Sequence, residues 1–217
     1  LLKISKDKVI VGSKERKNVW FKGWNENKNE FFRTQKENSV IPKYYSARKE
    51  IIFRLGGDFV ISDKKFELKL LEIYREWYVN SFFSKYKNIY EFGTGSGHNL
   101  IAINKILQGK NLYGLDFVQS SVDLVNSFKK KLKINVTAKL FDMQKPNYKF
   151  IIKKNSLVFT KGALEQLSGK IESFIDYLIK NKPDLVMHSE PMPNFYDTKN
   201  LADLTGLIFH NKRGYTS

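Results

Sequence analysis

IYEFGTGSGHNL, residues 89–100, reads as a short apolar strand that reaches Glu91-Phe92 and then gives way to three alternating glycines, Gly93, Gly95 and Gly97. Helix-forming residues follow, so the pattern is strand, glycine loop, helix. Glycine lets the backbone approach a ligand closely, and a helix N-terminus aims its free amides at what lies there. The turn therefore suits a ligand that carries a ribose or a carboxylate. A dinucleotide fingerprint needs G-x-G-x-x-G/A, and the position after Gly93 and Gly95 is His98, so that pattern fails. No G-x-x-x-x-G-K-[ST] phosphate loop occurs either.

Downstream, Asn111 to Phe117 is an apolar strand that ends in Asp116, about 20 residues past the loop, where an acid can accept both hydroxyls of a ribose. Val136 to Phe141 reads as a third strand, followed by Asp142 and Met143. Glycine loop, Asp116 and Asp142 all fall at the C-terminal ends of strands, where open α/β sheets bind ligands. Taken singly, the loop is also readable as a tight turn, and Asp116 or Asp142 as a helix N-cap.

The E/D-x-G-x-G-x-G form, with Glu91 in the acidic slot, resembles the first motif of class I S-adenosylmethionine-dependent methyltransferases. The resemblance covers roughly residues 63–209. It implies an open, mostly parallel Rossmann-like α/β sheet with helices on both faces, strand order 3-2-1-4-5, and S-adenosylmethionine as cofactor. It also implies roles: Asp116 for the ribose, Phe117 packed on the adenine, Asp142 accepting from the adenine amino group, and the Met143 amide reaching a ring nitrogen. Glu91, Gly93, Thr94, Gly95, Gly97 and Thr160 complete the implied cofactor set. A complete class I enzyme adds an antiparallel C-terminal hairpin at the sheet edge, and no residues remain here to form it. Either the sequence is a piece of a longer chain or the edge is completed differently, and an open edge strand would favour self-association or poor solubility.

The remaining elements follow from spacing. Asp63 caps a helix whose apolar face includes Phe66, Leu70, Ile73 and Trp77, and further helices fall at 100–108 and 118–132. Ser156 to Thr160 is the fourth strand, Lys170 to Lys180 a helix capped by Ser168, Asp184 to His188 the fifth strand, and Asp197 to Phe209 a last helix. Residues 1–62 stand apart as an aromatic N-terminal arm or lid, and 63–217 as the cofactor-binding domain. The arm shows little periodicity through Val19 to Trp24 and the polar stretch 25–38, and Ile41-Pro42-Lys43-Tyr44-Tyr45 reads as extended.

Methyl transfer needs the acceptor aligned and, for a hydroxyl, a proton removed. Two clusters lie beyond the fourth and fifth strands. Glu165, with Gln166, follows the fourth strand, and a solvated first helical turn is an equally good reading of it. His188 and Glu190 leave the fifth strand into a proline-stiffened loop, as a base with an orienting carboxylate or as a structural strand end. His98, beside the glycine loop, is either a cofactor contact or a surface residue. The amino-methyltransferase motif Asn/Asp-Pro-Pro-Tyr/Phe is missing after the fourth strand, which counts against nucleic-acid bases as acceptors. The ALEQ and HSEP segments, residues 163–166 and 188–191, are similar to those of bacterial methyltransferases acting on sugars or other surface-glycan precursors. A small polar acceptor methylated on oxygen is the resulting expectation.

Net charge is +16, from 38 basic and 22 acidic residues. Such a balance attracts nucleic acid or anionic small molecules, yet only six of the basic residues are arginine and the lysines are scattered. A nucleic-acid or protein methyltransferase, and a non-catalytic cofactor-binding subunit, stay open as alternatives. With no cysteine there is no disulfide framework or thiolate metal site. His98, His188 and His210 show no metal-ligand spacing, so no metal is expected. The chain begins at Leu1, nothing in it reads as a signal peptide, and no apolar run approaches the ~18 residues of a membrane span. Cytoplasmic residence is the default expectation.

Overall fold

A computed structural model of the chain describes residues 14–45 and 50–215. Five parallel strands form the main sheet: β3 (Asn88–Phe92), β4 (Asn111–Asp116), β5 (Val136–Leu140), β6 (Ser156–Lys161) and β7 (Leu185–Ser189). Their spatial order is β5-β4-β3-β6-β7, the 3-2-1-4-5 order expected. The direction of winding reverses between β3 and β6, which places the topological switch point there.

Helices cover both faces, and the side chains show why. One core layer sets Ile89, Leu112, Leu157 and Phe159 of the sheet against helices α1 (Lys14–Thr34), α2 (Lys64–Tyr78), α3 (His98–Ile106) and α4 (Gln119–Lys131), through Phe31, Tyr78, Leu100 and Phe128. The other sets Tyr90, Phe92, Leu115 and Val158 against Phe174, Tyr177 and Leu178 of α5 (Glu172–Asn181). Strands β3 and β6 are buried on both faces, as central parallel strands must be. Among the described residues no helix is long and apolar enough to cross a membrane.

The N-terminal segment differs from expectation. Residues 14–34 form one helix of 21 residues, α1, and the 41–45 region holds 3-10 turns rather than an extended run. Residues 1–13 and 46–49 of that segment lie outside the described residues. The helical spacing escaped notice because its inner face, Trp20, Trp24, Asn27 and Phe31, carries a polar residue in the middle. Asn27 is buried nonetheless, and its Nδ2 donates to the carbonyls of Ser39 at 2.8 Å and Ile41 at 3.1 Å. These bonds fold the returning chain back onto α1.

Residues 50–63 form an antiparallel hairpin, β1 (Glu50–Leu55) and β2 (Asp58–Asp63), closed by Gly56 and Gly57 with φ of 61° and 86°. Two residues of positive φ suit the tight turn that matches strand twist. The hairpin reaches the C-terminal helix α6 (Leu201–Arg213) through Arg54. Its guanidinium bonds Asp203 at 3.3 Å and the Tyr196 hydroxyl at 2.7 Å, and it lies where a side chain at position 206 would stand were that residue not glycine.

Two helix starts also differ. Helix α5 begins at Glu172 without a side-chain cap, because Ser168 adopts φ 53° and closes the 3-10 turn Leu164–Leu167 instead. Helix α6 begins at Leu201, capped by Asn200, whose Oδ1 accepts from Ala202 and Asp203. Asp197, the expected first residue of that helix, accepts from the Lys199 amide within the preceding turn.

Gly97 holds φ 73° at the start of α3, and a Cβ there would fall 2.6 Å from Val125 Cγ2 and 2.8 Å from Phe128 Cε2. A left-handed Ala carries strain, and crowding α4 adds to it. Gly97→Ala should therefore destabilise the chain by at least about 2 kcal/mol in urea denaturation. Gly109→Ala, at φ 78° with open space around it, should show only the backbone part, about 1 kcal/mol. Equal losses at the two positions would refute the crowding argument.

Candidate active site

The glycine loop is stitched to β4. The amides of Gly93 and Thr94 donate to the Leu115 carbonyl at 2.7 and 3.1 Å, and the Gly95 amide donates to Asp116 Oδ2 at 2.7 Å. Asp116 Oδ1 accepts from the Val118 amide at 2.9 Å, and the Ser121 hydroxyl donates to the Gly95 carbonyl. One buried carboxylate thus holds both the loop and the start of α4. Burial pushes its pKa up to about 6, against the pull of the Gly95 and Val118 amides.

Glu91 lies inside the loop, fully buried. Its Oε1 accepts from Asn99 Nδ2 at 2.7 Å and its Oε2 from the Thr94 hydroxyl at 2.9 Å. Asn99 is oriented from behind, since its Oδ1 accepts from Arg75 Nη1 at 2.9 Å. Burial pushes Glu91 up to about 7, with the Asn99 and Thr94 bonds and the Arg75 charge opposing.

Above this floor opens a cleft. Glu91, Gly93, Thr94, Gly95, Asp116, Phe117, Asp142 and Met143 all line it. Eight of the implied cofactor residues, carried by three strand ends, therefore face one space. Asp142 also accepts from the Gln144 amide at 2.9 Å. From β6 come Lys161, Gly162 and Ala163, so the cleft straddles the switch point.

The remaining expected residues lie elsewhere. Gly97 turns toward α4. Thr160 Oγ1 is 2.8 Å from His188 Nδ1, and Glu190 accepts from the amides of Ala163 at 3.1 Å and Glu165 at 3.3 Å. Glu165 itself accepts from Gln166 Nε2 at 2.8 Å. These four residues form a neighbouring cluster at the ends of β6 and β7, outside the lining of the cleft. Burial lowers the His188 pKa and raises that of Glu190.

The sequence reading missed the roof. Trp20 and Trp24 of α1 stack at 5.4 Å and line the cleft with Lys17, Pro42 and Tyr44. Trp24 lies so close over the loop that a Cβ at Gly95 would fall 2.8 Å from its Cζ2. Phe21 packs edge-on against Phe117 at 5.9 Å. The i, i+4 spacing of the two tryptophans was the available signal. Among the described residues no group of three or more His, Asp or Glu is placed to hold a metal.

No family model matches the chain, and no curated protein matches it. Several solved methyltransferases are similar to it in structure. The plantazolicin methyltransferase BpumL, in complex with SAH, is similar over 88% of this chain and 68% of that one, at 15% identity and a TM-score of 0.48. A tRNA (uracil-54, C5)-methyltransferase from Pyrococcus abyssi matches 65% of this chain and 34% of its own, at 13% identity and TM-score 0.44. For geranyl diphosphate C-methyltransferase from Streptomyces coelicolor the shares are 48% and 42%, at 16% identity and TM-score 0.37. The chain thus spans less than half the length of the last two. The sheet order β5-β4-β3-β6-β7 is the one expected from the sequence pattern.

Glu91 makes stability depend on pH. Its folded pKa of about 7 lies above the ordinary 4.5, so across that interval the folded chain retains a proton that the unfolded chain has released. The stability present below about pH 4.5 is lost as pH rises through about 7. Relative to Glu91→Gln, the wild type should lose on the order of 2 kcal/mol between about pH 5 and 8 in urea denaturation. Parallel pH profiles for the two proteins would show that Glu91 is ionised throughout.

Proposed function

We propose that this chain binds S-adenosylmethionine and is a methyltransferase acting on oxygen of a small polar acceptor such as a sugar or related metabolite. The observation that carries the reading is the hydrogen-bond polarity of the cleft floor. The amides of Gly93, Thr94 and Gly95 are all spent inside the protein, on Leu115 and Asp116, so these three offer nothing to a pyrophosphate. What the floor offers instead is carboxylates: Glu91, Asp116 and Asp142 line one cleft. Asp116, held by the Gly95 and Val118 amides, stands at the end of β4 with its carboxylate on the cleft, where a ribose hydroxyl can reach it. A ligand with hydroxyls, amino groups and positive charge matches this floor, and a dinucleotide does not.

On this reading Asp116 holds the ribose, Phe117 and Met143 flank the adenine, Asp142 accepts from its amino group, and Thr94 and Glu91 face the amino-acid end. The cofactor supplies an activated methyl group when bound. The protein's part is alignment and exclusion of water. Of the 1–62 arm, the described part that carries Trp20, Trp24 and Tyr44 serves as the lid, supported by the positions of these three on the cleft. Thr160, His188, Glu190 and Glu165 support the acceptor side from behind, with Glu190 holding the 163–165 backbone. The outer edge of β7 has no strand partner among the described residues, which supports pairing with a second copy. Cytoplasmic residence rests on the cysteine-free composition.

Calorimetric titration tests the reading directly. S-adenosylhomocysteine should bind the wild type and NAD should not. Asp116→Ala should weaken S-adenosylhomocysteine at least tenfold, through loss of paired hydrogen bonds, with circular dichroism confirming that the variant is folded. Binding of NAD, or undiminished affinity in Asp116→Ala, would overturn the assignment.

A further inference from the structure

The wall of the cleft contributed by β6 carries a cation, Lys161, with a second, Arg75 of α2, behind it. Lys161, at the end of β6, lines the cleft with its Nζ over the ring of Tyr74 at 5.1 Å. Arg75 is buried close behind and spends one Nη1 bond on Asn99. Among the described residues neither cation has a carboxylate within 4.0 Å.

The neighbouring acids do not make up the difference. Glu91 is only partly ionised near neutral pH and both its oxygens accept from neutral donors. Glu190 accepts from backbone amides. Burial first, and then Arg75, pulls Lys161 below the ordinary lysine range, against the opposing charges of Glu91 and Glu190. His98, which also lines the cleft, is held neutral by burial, Arg75 and Lys161, with a pKa down to about 3. Lys161 is partly buried with no carboxylate beside it among the described residues, so an anion entering the cleft supplies the counter-charge that its surroundings lack.

Location decides which anion. The expected adenosine contacts, Asp116, Phe117, Asp142 and Met143, follow β4 and β5, on one side of the switch point. Lys161 follows β6, on the other side, with Tyr44 and His98 of the cleft lining available as neutral hydrogen-bonding groups. We infer that Lys161, backed by Arg75 and flanked by His98 and Tyr44, forms a subsite for an oxyanion, a carboxylate or phosphate carried by the methyl acceptor. This rests on the methyltransferase reading and narrows it: the acceptor is an acidic metabolite rather than a neutral one.

The test uses inorganic phosphate as probe, titrated calorimetrically into protein saturated with S-adenosylhomocysteine at about 0.15 M salt. Phosphate should bind the wild type, bind at least tenfold more weakly to Lys161→Met, and recover substantially in Lys161→Arg. Lys129→Met, on the exposed end of α4, should leave binding unchanged. Equal phosphate affinity in the wild type and Lys161→Met would overturn the subsite. So would a tenfold loss of S-adenosylhomocysteine affinity in Lys161→Met with 5′-methylthioadenosine unaffected, since the oxyanion would then be the cofactor's own carboxylate. Failure of S-adenosylhomocysteine to bind the wild type would instead sink the methyltransferase reading. In that case the same phosphate titration on the unliganded variants still decides whether Lys161 holds an oxyanion.

Discussion

The Asp116 carboxylate, buried at the end of β4, bonds the Gly95 amide with one oxygen and the Val118 amide with the other. Remove it and two backbone donors lose their partner at once, one in the glycine loop and one at the start of α4. It ties the loop that follows β3 to the start of α4 at the rim of the sheet. Neutral donors arrange Glu91 in the same manner, through Thr94 and an Asn99 that Arg75 orients. Both acids are therefore held by the scaffold before any ligand arrives, which is the preorganisation that a binding site needs.

Much of this floor was legible in the chain of letters. Three strands each ending in an acid or a glycine turn, at spacings that a parallel sheet requires, are read from local pattern alone, because central parallel strands are apolar throughout and short. The Asp63 cap was legible for the same local reason, and its carboxylate accepts from the amides of Lys65 and Phe66.

What stayed hidden depended on partners far away in sequence. Asn27 breaks the apolar stripe of α1, and only the carbonyls of Ser39 and Ile41 explain its burial. Ser168 has the chemistry of a helix cap but is diverted into a left-handed turn by the preceding 3-10 segment. The Gly56-Gly57 hairpin carried a usable signal in paired glycines between apolar runs. The stacked tryptophans likewise show an amphipathic spacing, yet nothing in their immediate neighbours says that they cover a glycine loop some seventy residues on. Lys161 sits in a recognisable segment after the fourth strand, but its lack of a counter-ion is a property of the assembled surroundings.

The bonds that build the cleft floor span short stretches of chain, 21 residues from Gly95 to Asp116 and 8 from Asn99 to Glu91. The clasp of Arg54 on Asp203 spans 149. Chain entropy rises with the length of segment that must be closed, so on that ground alone the clasp costs more to close than either bond of the carboxylate floor.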